Sequence, residues 1–442
     1  MYIDKTTLSD LSVFNLQDDS SLFYLIDYTT TSEGKSELIK MLHHPLNKLD
    51  EILNVQEILK LISEKFDEWP DEISNGTLMV IEKFFNDNPD PIPEEISHVQ
   101  ANVYKWIHSR DYALILFSMK QLFLLIKGYQ KIHDFFNPSQ LPAPLAEIIA
   151  ETKQILSNKN LQDLSIKKEF DQLNQKEILY FGRLFHVELI QETRKLIKHY
   201  GKLDAWHAMA SANKELKLHV PIFTNTATLI EAKSLRHLLL KQAVSYDINM
   251  NKQSNFIFLT GANMAGKSTL IKAVGLAVYM AHIGMGVPAE AMKLSLFEGL
   301  LSNINIADNI SKGESYFFNE VKRIRETIEK IKDGRNWLVL IDELFKGTNI
   351  QDAMKCSIAV IRGLINIKNC LFILSTHLYE IGEDLKDLPT IDFKYFETIL
   401  KDTELHFSYQ LKDGISQDRM GYLILKKEGV ISMLDNLGNQ QT

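Results

Sequence analysis

The sequence predicts an α+β multidomain protein, with an N-terminal all-α domain over residues 1–215 followed by an α/β domain over residues 216–442. Two observations predict it. In the first half apolar residues recur at three- and four-residue spacing, as in SELIKMLHHPLNKLDEILNVQEILKLI (36–62) and KEILYFGRLFHVELIQETRKLIKHY (176–200). That is the period of an amphipathic helix. In the second half the apolar runs shorten and become β-favouring, NFIFLT, NWLVLID and CLFILST, and they alternate with long helical patterns. A parallel sheet covered on both faces reads this way.

Composition narrows the class. A chain of 442 residues with 45% hydrophobic and 24% charged residues is long enough for several domains and has an ordinary globular balance. The formal net charge of -8 excludes a global positive field, so any contact with nucleic acid must be local. Two cysteines, Cys356 and Cys370, are too few for a disulfide framework and indicate a reducing compartment. The opening MYIDKTTLSDLSVF has no signal-peptide pattern. The most apolar stretch, YALILFSMKQLFLLI (112–126), is interrupted by Lys120 and Gln121 short of the roughly 20 residues of a membrane span. It reads as a buried core helix, and the expected setting is cytoplasmic, with no membrane partner.

Within the helical half, Pro89, Pro91 and Pro93, and then residues 138–144, mark loops between long helices. In the second half, GANMAGKST (261–269) lies between the strand-like FIFLT and the helix-like LIKAVGLAVYMAHIG. Gly261 and Gly266, five residues apart and followed by Lys267 and Ser268, satisfy the P-loop pattern. Backbone amides at the start of a helix cradle phosphate there, the lysine reaches the terminal phosphates, and the serine ligates magnesium. The whole loop, Gly261, Ala262, Asn263, Met264, Ala265, Gly266, Lys267, Ser268 and Thr269, is therefore the expected nucleotide cradle, with ATP and Mg as cofactors.

Three further stretches suit that chemistry. The strand Trp337-Leu338-Val339-Leu340-Ile341 ends in Asp342 and Glu343, the pattern in which the first acid reaches a magnesium-bound water and the second polarises the attacking water. Solvated acids at an ordinary strand end are the plainer alternative. A third strand, 370–376, ends in His377, which can reach a γ-phosphate if the three strands are neighbours; otherwise it is a satisfied core or surface histidine. In SKGESYFFNEVKRIRETIEKI (311–331), Ser315 sits near the start of an amphipathic helix, where the macrodipole favours an anion, or serves as a plain N-cap.

In this order and spacing, these four stretches resemble the ATPase domain of the MutS family, the ABC-type ATPases of DNA mismatch repair. TGANMAGKST (260–269) is similar to the family's TGPNMGGKST, MAHIGMGVPAE (280–290) to its MAyIGsyVPA segment, IDELFKGTN (341–349) to DEiGRGTS and STHLYEI (375–381) to ATHyfEL. Arg236-His237 sits at the family's RHP motif, with Leu238 in place of proline. Ala262 and Ala265 replace a proline and a glycine, Glu314 stands where the family has a neutral or basic residue, and Phe345-Lys346 replaces Ile-Gly-Arg. IDKTTLSDLSVF (3–14) and LIDYTTTSEGKSELIKMLHHPL (25–46) resemble the opening of the MutS core, or lever, domain, including its T-x-x-G-x-x-x-L and HPL landmarks. GYLILKKEGV (421–430) resembles the closing helix.

The resemblance implies a reduced MutS relative of lever/core and ABC-type ATPase domains, without the mismatch-recognition domains or a full clamp. It implies a homodimer in which Ser315 contacts the partner's γ-phosphate in trans, with Asn263 near the same phosphate. Catalytic roles fall to Glu343, His377 and Lys267, and magnesium to Ser268 and Asp342. The expected function is ATP-driven dimer closure acting on DNA, in repair or recombination, with Lys167, Lys168, Arg194, Lys195 and Lys198 as candidate contacts or as an ordinary solvated face. The alternative is an ATP-gated switch that grips a protein or ribosomal partner and binds no DNA. A metabolic kinase lacks a legible second-substrate pocket.

Overall fold

The structure, a computed structural model, describes residues 1–14, 20–87, 90–92, 94, 96–136, 140–225, 228–304, 316–401, 404–416, 429–430 and 433. The chain divides into two compact units: Met1–Leu25, His44–Ile52 and Leu216–Thr442 form one, Ile26–His43 and Leu53–Glu215 the other. The first is mixed α/β; among the described residues the second is built of helices and turns. The stretches 3–14 and 44–46, read from periodicity as helical-domain sequence, thus belong to the α/β unit.

Local contacts explain that reassignment. The strands are β1 (Tyr2–Ile3), β2 (Ile222–Thr224), β3 (Leu229–Arg236), β4 (Ser245–Asn251), β5 (Phe256–Thr260), β6 (Ala291–Ser295), β7 (Gly299–Asn303), β8 (Trp337–Asp342), β9 (Cys370–Ser375), β10 (Ile391–Lys401) and β11 (Glu404–Asp413). β1 adds to β7 in parallel. In the following helix Lys5–Asp10, the Thr7 hydroxyl accepts from the Ser302 amide at 2.9 Å and the Asp10 carboxylate accepts from the Ile304 amide at 3.1 Å. The Leu46 amide of the HPL landmark donates to the His282 carbonyl at 2.7 Å. Helical period reveals which face of a helix is apolar, not which core receives it.

The larger sheet has the order β1-β7-β8-β9-β5-β10-β11, parallel except for the final β10–β11 pair. Its centre is continuous apolar sequence because helices cover both faces: every residue of β5, β7 and β9 is buried. A smaller sheet, β2-β6-β3-β4, is mostly antiparallel.

In the helical unit, the helix Ser109–Phe135 is long and apolar enough by composition to cross a membrane. Its residues Tyr112, Ile115, Met119, Leu122, Ile126 and Tyr129 form a buried stripe, and Tyr129 donates to the Leu196 carbonyl. It is a core helix of this unit. The T-x-x-G-x-x-x-L landmark also finds its reason here. The buried Asp204 carboxylate accepts from the amides and hydroxyls of Thr30 and Thr31, at 2.6–3.1 Å. A Cβ on Gly34 would lie 2.1 Å from Asp204 Oδ2, and Leu38 is fully buried. The glycine lets the helix Ser32–His43 approach Ile190–Glu215 closely.

Candidate nucleotide-binding site

Three strands place the candidate residues together. β9 lies between β5 and β8, with Ser375 in register with both Leu259 and Asp342. The carboxyl ends of all three therefore open on the same edge, where ligands bind parallel α/β sheets. From β5 the chain runs into 261–269, from β8 into Glu343, and from β9 into Thr376 and His377. The structure thus brings the histidine beside the other two motifs.

The loop folds as its residue types require. Gly261 and Gly266 adopt φ of +139° and +110°, conformations that disfavour any side chain, and Met264 is left-handed at +68°. Gly266 caps the helix Lys267–His282, so the free amides of its first turn face the loop. Lys267 is buried, and its ammonium donates to the carbonyls of Gly261 at 2.8 Å and Ala262 at 3.0 Å. Burial lowers its pKa, while Glu343 and then Asp342 pull it back up. Ala262 and Ala265 are buried, whereas Asn263 and Met264 are exposed at the tip. Ser268 Oγ donates to Asp342 Oδ2 at 2.5 Å, and the Ser375 hydroxyl donates to Oδ1 of the same carboxylate. A hydroxyl and a carboxylate held together supply the hard oxygen donors that Mg²⁺ takes.

Glu343 follows immediately, in a left-handed conformation with φ +65°. Its amide donates to the Ser375 carbonyl at 2.9 Å, which turns the side chain out of the sheet. Glu343 Oε2 lies 3.2 Å from Lys346 Nζ and 3.4 Å from His377 Nδ1. The hydrogen bond from His377, then the charge of Lys346, outweigh burial and hold the carboxyl at about 2. It is an anion throughout the physiological range.

A cavity of about 420 Å³ adjoins the loop, lined by Asn263, Met264, Lys267, Ser268 and Glu343 on one side and by Leu240, Val244, Tyr246 and Tyr409 on the other. The second group escaped the sequence reading. These residues arrive from β4, β11 and the turn before β4, and no local motif announces them. Conversely, several family landmarks prove structural. Arg236 bonds the Leu216 carbonyl at 2.7 Å, and its amide bonds the Pro288 carbonyl at 2.9 Å. His282 is fully buried, with Nδ1 against the Val278 carbonyl at 2.8 Å and Nε2 accepting from the Phe297 amide at 3.0 Å. Burial pushes it down to about 4, so it is neutral. Glu314, Ser315 and most of 421–430 lie outside the described residues.

A parallel sheet with a glycine-rich loop entering a helix, and an acidic strand end bonded to that loop's serine, defines the class of P-loop nucleotide-binding domains. Residues 257–434 match the MutS domain V family model. The chain belongs to the MutS family. It is 27% identical over 427 residues to the DNA mismatch repair protein MSH3 of Vanderwaltozyma polyspora, covering 90% of this chain and 41% of that one. To the DNA mismatch repair protein MutS of Petrotoga mobilis it is 28% identical over 276 residues, 61% of this chain and 33% of the relative. To that of Pseudothermotoga lettingae it is 33% identical over 205 residues, covering 46% and 25%. The chain spans 25–41% of the length of these curated relatives.

Proposed function

We propose that this chain is a Mg²⁺-dependent ATPase that acts on DNA through ATP-driven closure of a homodimer. The observation that carries the reading is the gathering of Lys267, Ser268, Asp342, Glu343 and His377 at the ends of three adjacent strands. Phosphate oxygens replace the two loop carbonyls as partners of Lys267, and the amides of residues 261–269 hold them further. Ser268 and Asp342 hold magnesium, which when bound offsets phosphate charge. The ionised Glu343 orients the attacking water and takes its proton, and His377, beside it, contacts the γ-phosphate and registers its loss. Tyr246 and Tyr409 offer aromatic faces to the base, the part of the ligand for which the sequence named no residue.

The remaining roles rest on the family and on the relatives' printed description as DNA mismatch repair proteins. Ser315 acts in trans on the partner's nucleotide, with Asn263 at the same phosphate. Residues 26–43 and 53–215 serve as the core and levers that convert closure into movement, and the α/β unit, residues 1–25, 44–52 and 216–442, as the ATPase. The unpaired cysteines suit a cytoplasmic setting. A second reading, a switch gripping a protein or ribosomal partner, is favoured by the net charge of -8.

Steady-state ATPase assays on the purified chain test both, with duplex, mismatched, branched and single-stranded DNA and ribosomal RNA as additions. Lys267→Ala is the blank and should bind no ATP. Tyr409→Ala should weaken ATP binding roughly 5- to 100-fold, the loss of one base-stacking face. Stimulation by one DNA form supports the proposal. Turnover in Lys267→Ala equal to wild type would end it, and a rate indifferent to every nucleic acid would favour the protein-partner switch.

A further inference from the structure

The loop that follows β8 is gripped from behind by a carboxylate that no motif assigned. Glu320 is the fifth residue of the helix Tyr316–Ile331 and is 2% exposed. Its Oε1 accepts from the backbone amide of Lys346 at 3.0 Å, and its Oε2 accepts from that of Gly347 at 3.1 Å. Two successive amides converging on one anion form a nest, and hydrogen bonds to a carboxylate are stronger than neutral ones. Among the described residues Glu320 has no ion pair with Lys, Arg or His, so these amides are its visible compensation for burial. The same seam is apolar on either side: Phe317 and Phe345 have ring centroids 5.6 Å apart, and Ile324 and Leu344 join their cluster.

The gripped segment needs an external hold. Glu343 and Phe345, neither a glycine, are both left-handed at φ +65° and +59°. Such residues persist where surrounding contacts over-determine them. Lys346 is bound at both ends, its amide by Glu320 and its ammonium 3.2 Å from Glu343 Oε2. Glu320 therefore reaches the catalytic candidate through a single intervening residue. The helix carrying Glu320 begins at Tyr316, one residue after Ser315 in sequence.

We infer that Glu320 is a positioning residue: it latches the strained loop 343–347 to the helix Tyr316–Ile331, so that Glu343 faces the nucleotide and its orientation follows that helix. This rests on the ATPase reading above for its kinetic consequence, though not for the latch itself. Glu320→Gln keeps the shape but sets an amide N–H₂ against one backbone N–H; Glu320→Ala removes both acceptors.

Two measurements decide it. In amide hydrogen exchange of the wild-type chain, Lys346 and Gly347 should exchange roughly 10- to 100-fold more slowly than exposed loop amides that have no hydrogen-bond partner. In Glu320→Gln at least one of the two should lose that protection, while β8 and β9 keep theirs. In kinetics, Glu320→Gln should lower kcat about 10- to 100-fold with the Kd for ATP changed less than about threefold, since a lost charged hydrogen bond acts on orientation and not on the phosphate cradle. Unprotected Lys346 and Gly347 amides in the wild type would overturn the latch, whatever the variants do. Wild-type kcat in Glu320→Gln would overturn its role in positioning. A wild-type chain that binds ATP without turnover would instead sink the ATPase reading, leaving the exchange result to decide the latch.

Discussion

Glu343 shows how much of the site's character is set by side chains a few ångströms apart. Its carboxyl is held at about 2, below the ordinary 4.5, by His377 first and Lys346 next, against the opposing pull of burial. A carboxylate depressed in this way stabilises the folded state at pH above its unfolded value, and that contribution disappears as pH falls from 4.5 through 2. Carbon-13 detection of the Glu343 carboxyl should therefore give a midpoint near 2, and His377→Ala should move it upward. A wild-type midpoint at 4.5 or above would mean that neither contact operates in solution. Lys267 illustrates the converse case: burial drives its pKa down, and the nearby carboxylates of Glu343 and Asp342 offset only part of that fall.

At the scale of elements, packing between the helices Ser32–His43 and Ile190–Glu215 depends on one buried acid and one missing side chain. Asp204 satisfies the amides and hydroxyls of Thr30 and Thr31, the cap of the first helix. Removing it by Asp204→Ala should destabilise the chain by about 3 kcal/mol in urea unfolding, because buried donors are left unpaired. Gly34→Ala should cost a similar amount, since its methyl would meet Asp204 Oδ2 at 2.1 Å. A loss below about 0.5 kcal/mol in both variants would show that the cap and the close approach are dispensable. The β8–loop–helix seam around Glu320 obeys the same logic, a buried carboxylate answered by backbone amides.

For the whole molecule, closure on ATP is the property that the proposed function demands. Glu343→Gln with ATP and Mg²⁺ should double the mass seen by light scattering, because nucleotide is bound and not hydrolysed, while Ser315→Ala in that background should return it toward the monomer. An unchanged mass with saturating nucleotide would rule out ATP-driven dimerisation, and an unaffected dimer in the Ser315→Ala variant would remove the trans role.

The parts legible in the sequence are those encoded by neighbours in the chain. The 261–269 cradle was legible because left-handed turns at residues 261 and 266 demand glycine and the lysine and serine follow directly. Apolar runs declared β5, β8 and β9, and the polar break at Lys120 and Gln121, short of a membrane span, declared 112–126 as part of a buried core helix. Less legible was whatever depends on residues far apart meeting in space. Tyr246 and Tyr409 join one cavity from separate sheets, Glu320 reaches a loop 26 residues on, and Asp204 meets Thr30 across 174 residues. The assignment of residues 3–14 to the α/β unit turned on a strand pairing with β7 that periodicity cannot express. Sequence by itself determined the local backbone and the chemistry offered at each strand end; tertiary structure decided which of those groups face one another, because strand order and helix docking are set by long-range burial and not by spacing along the chain.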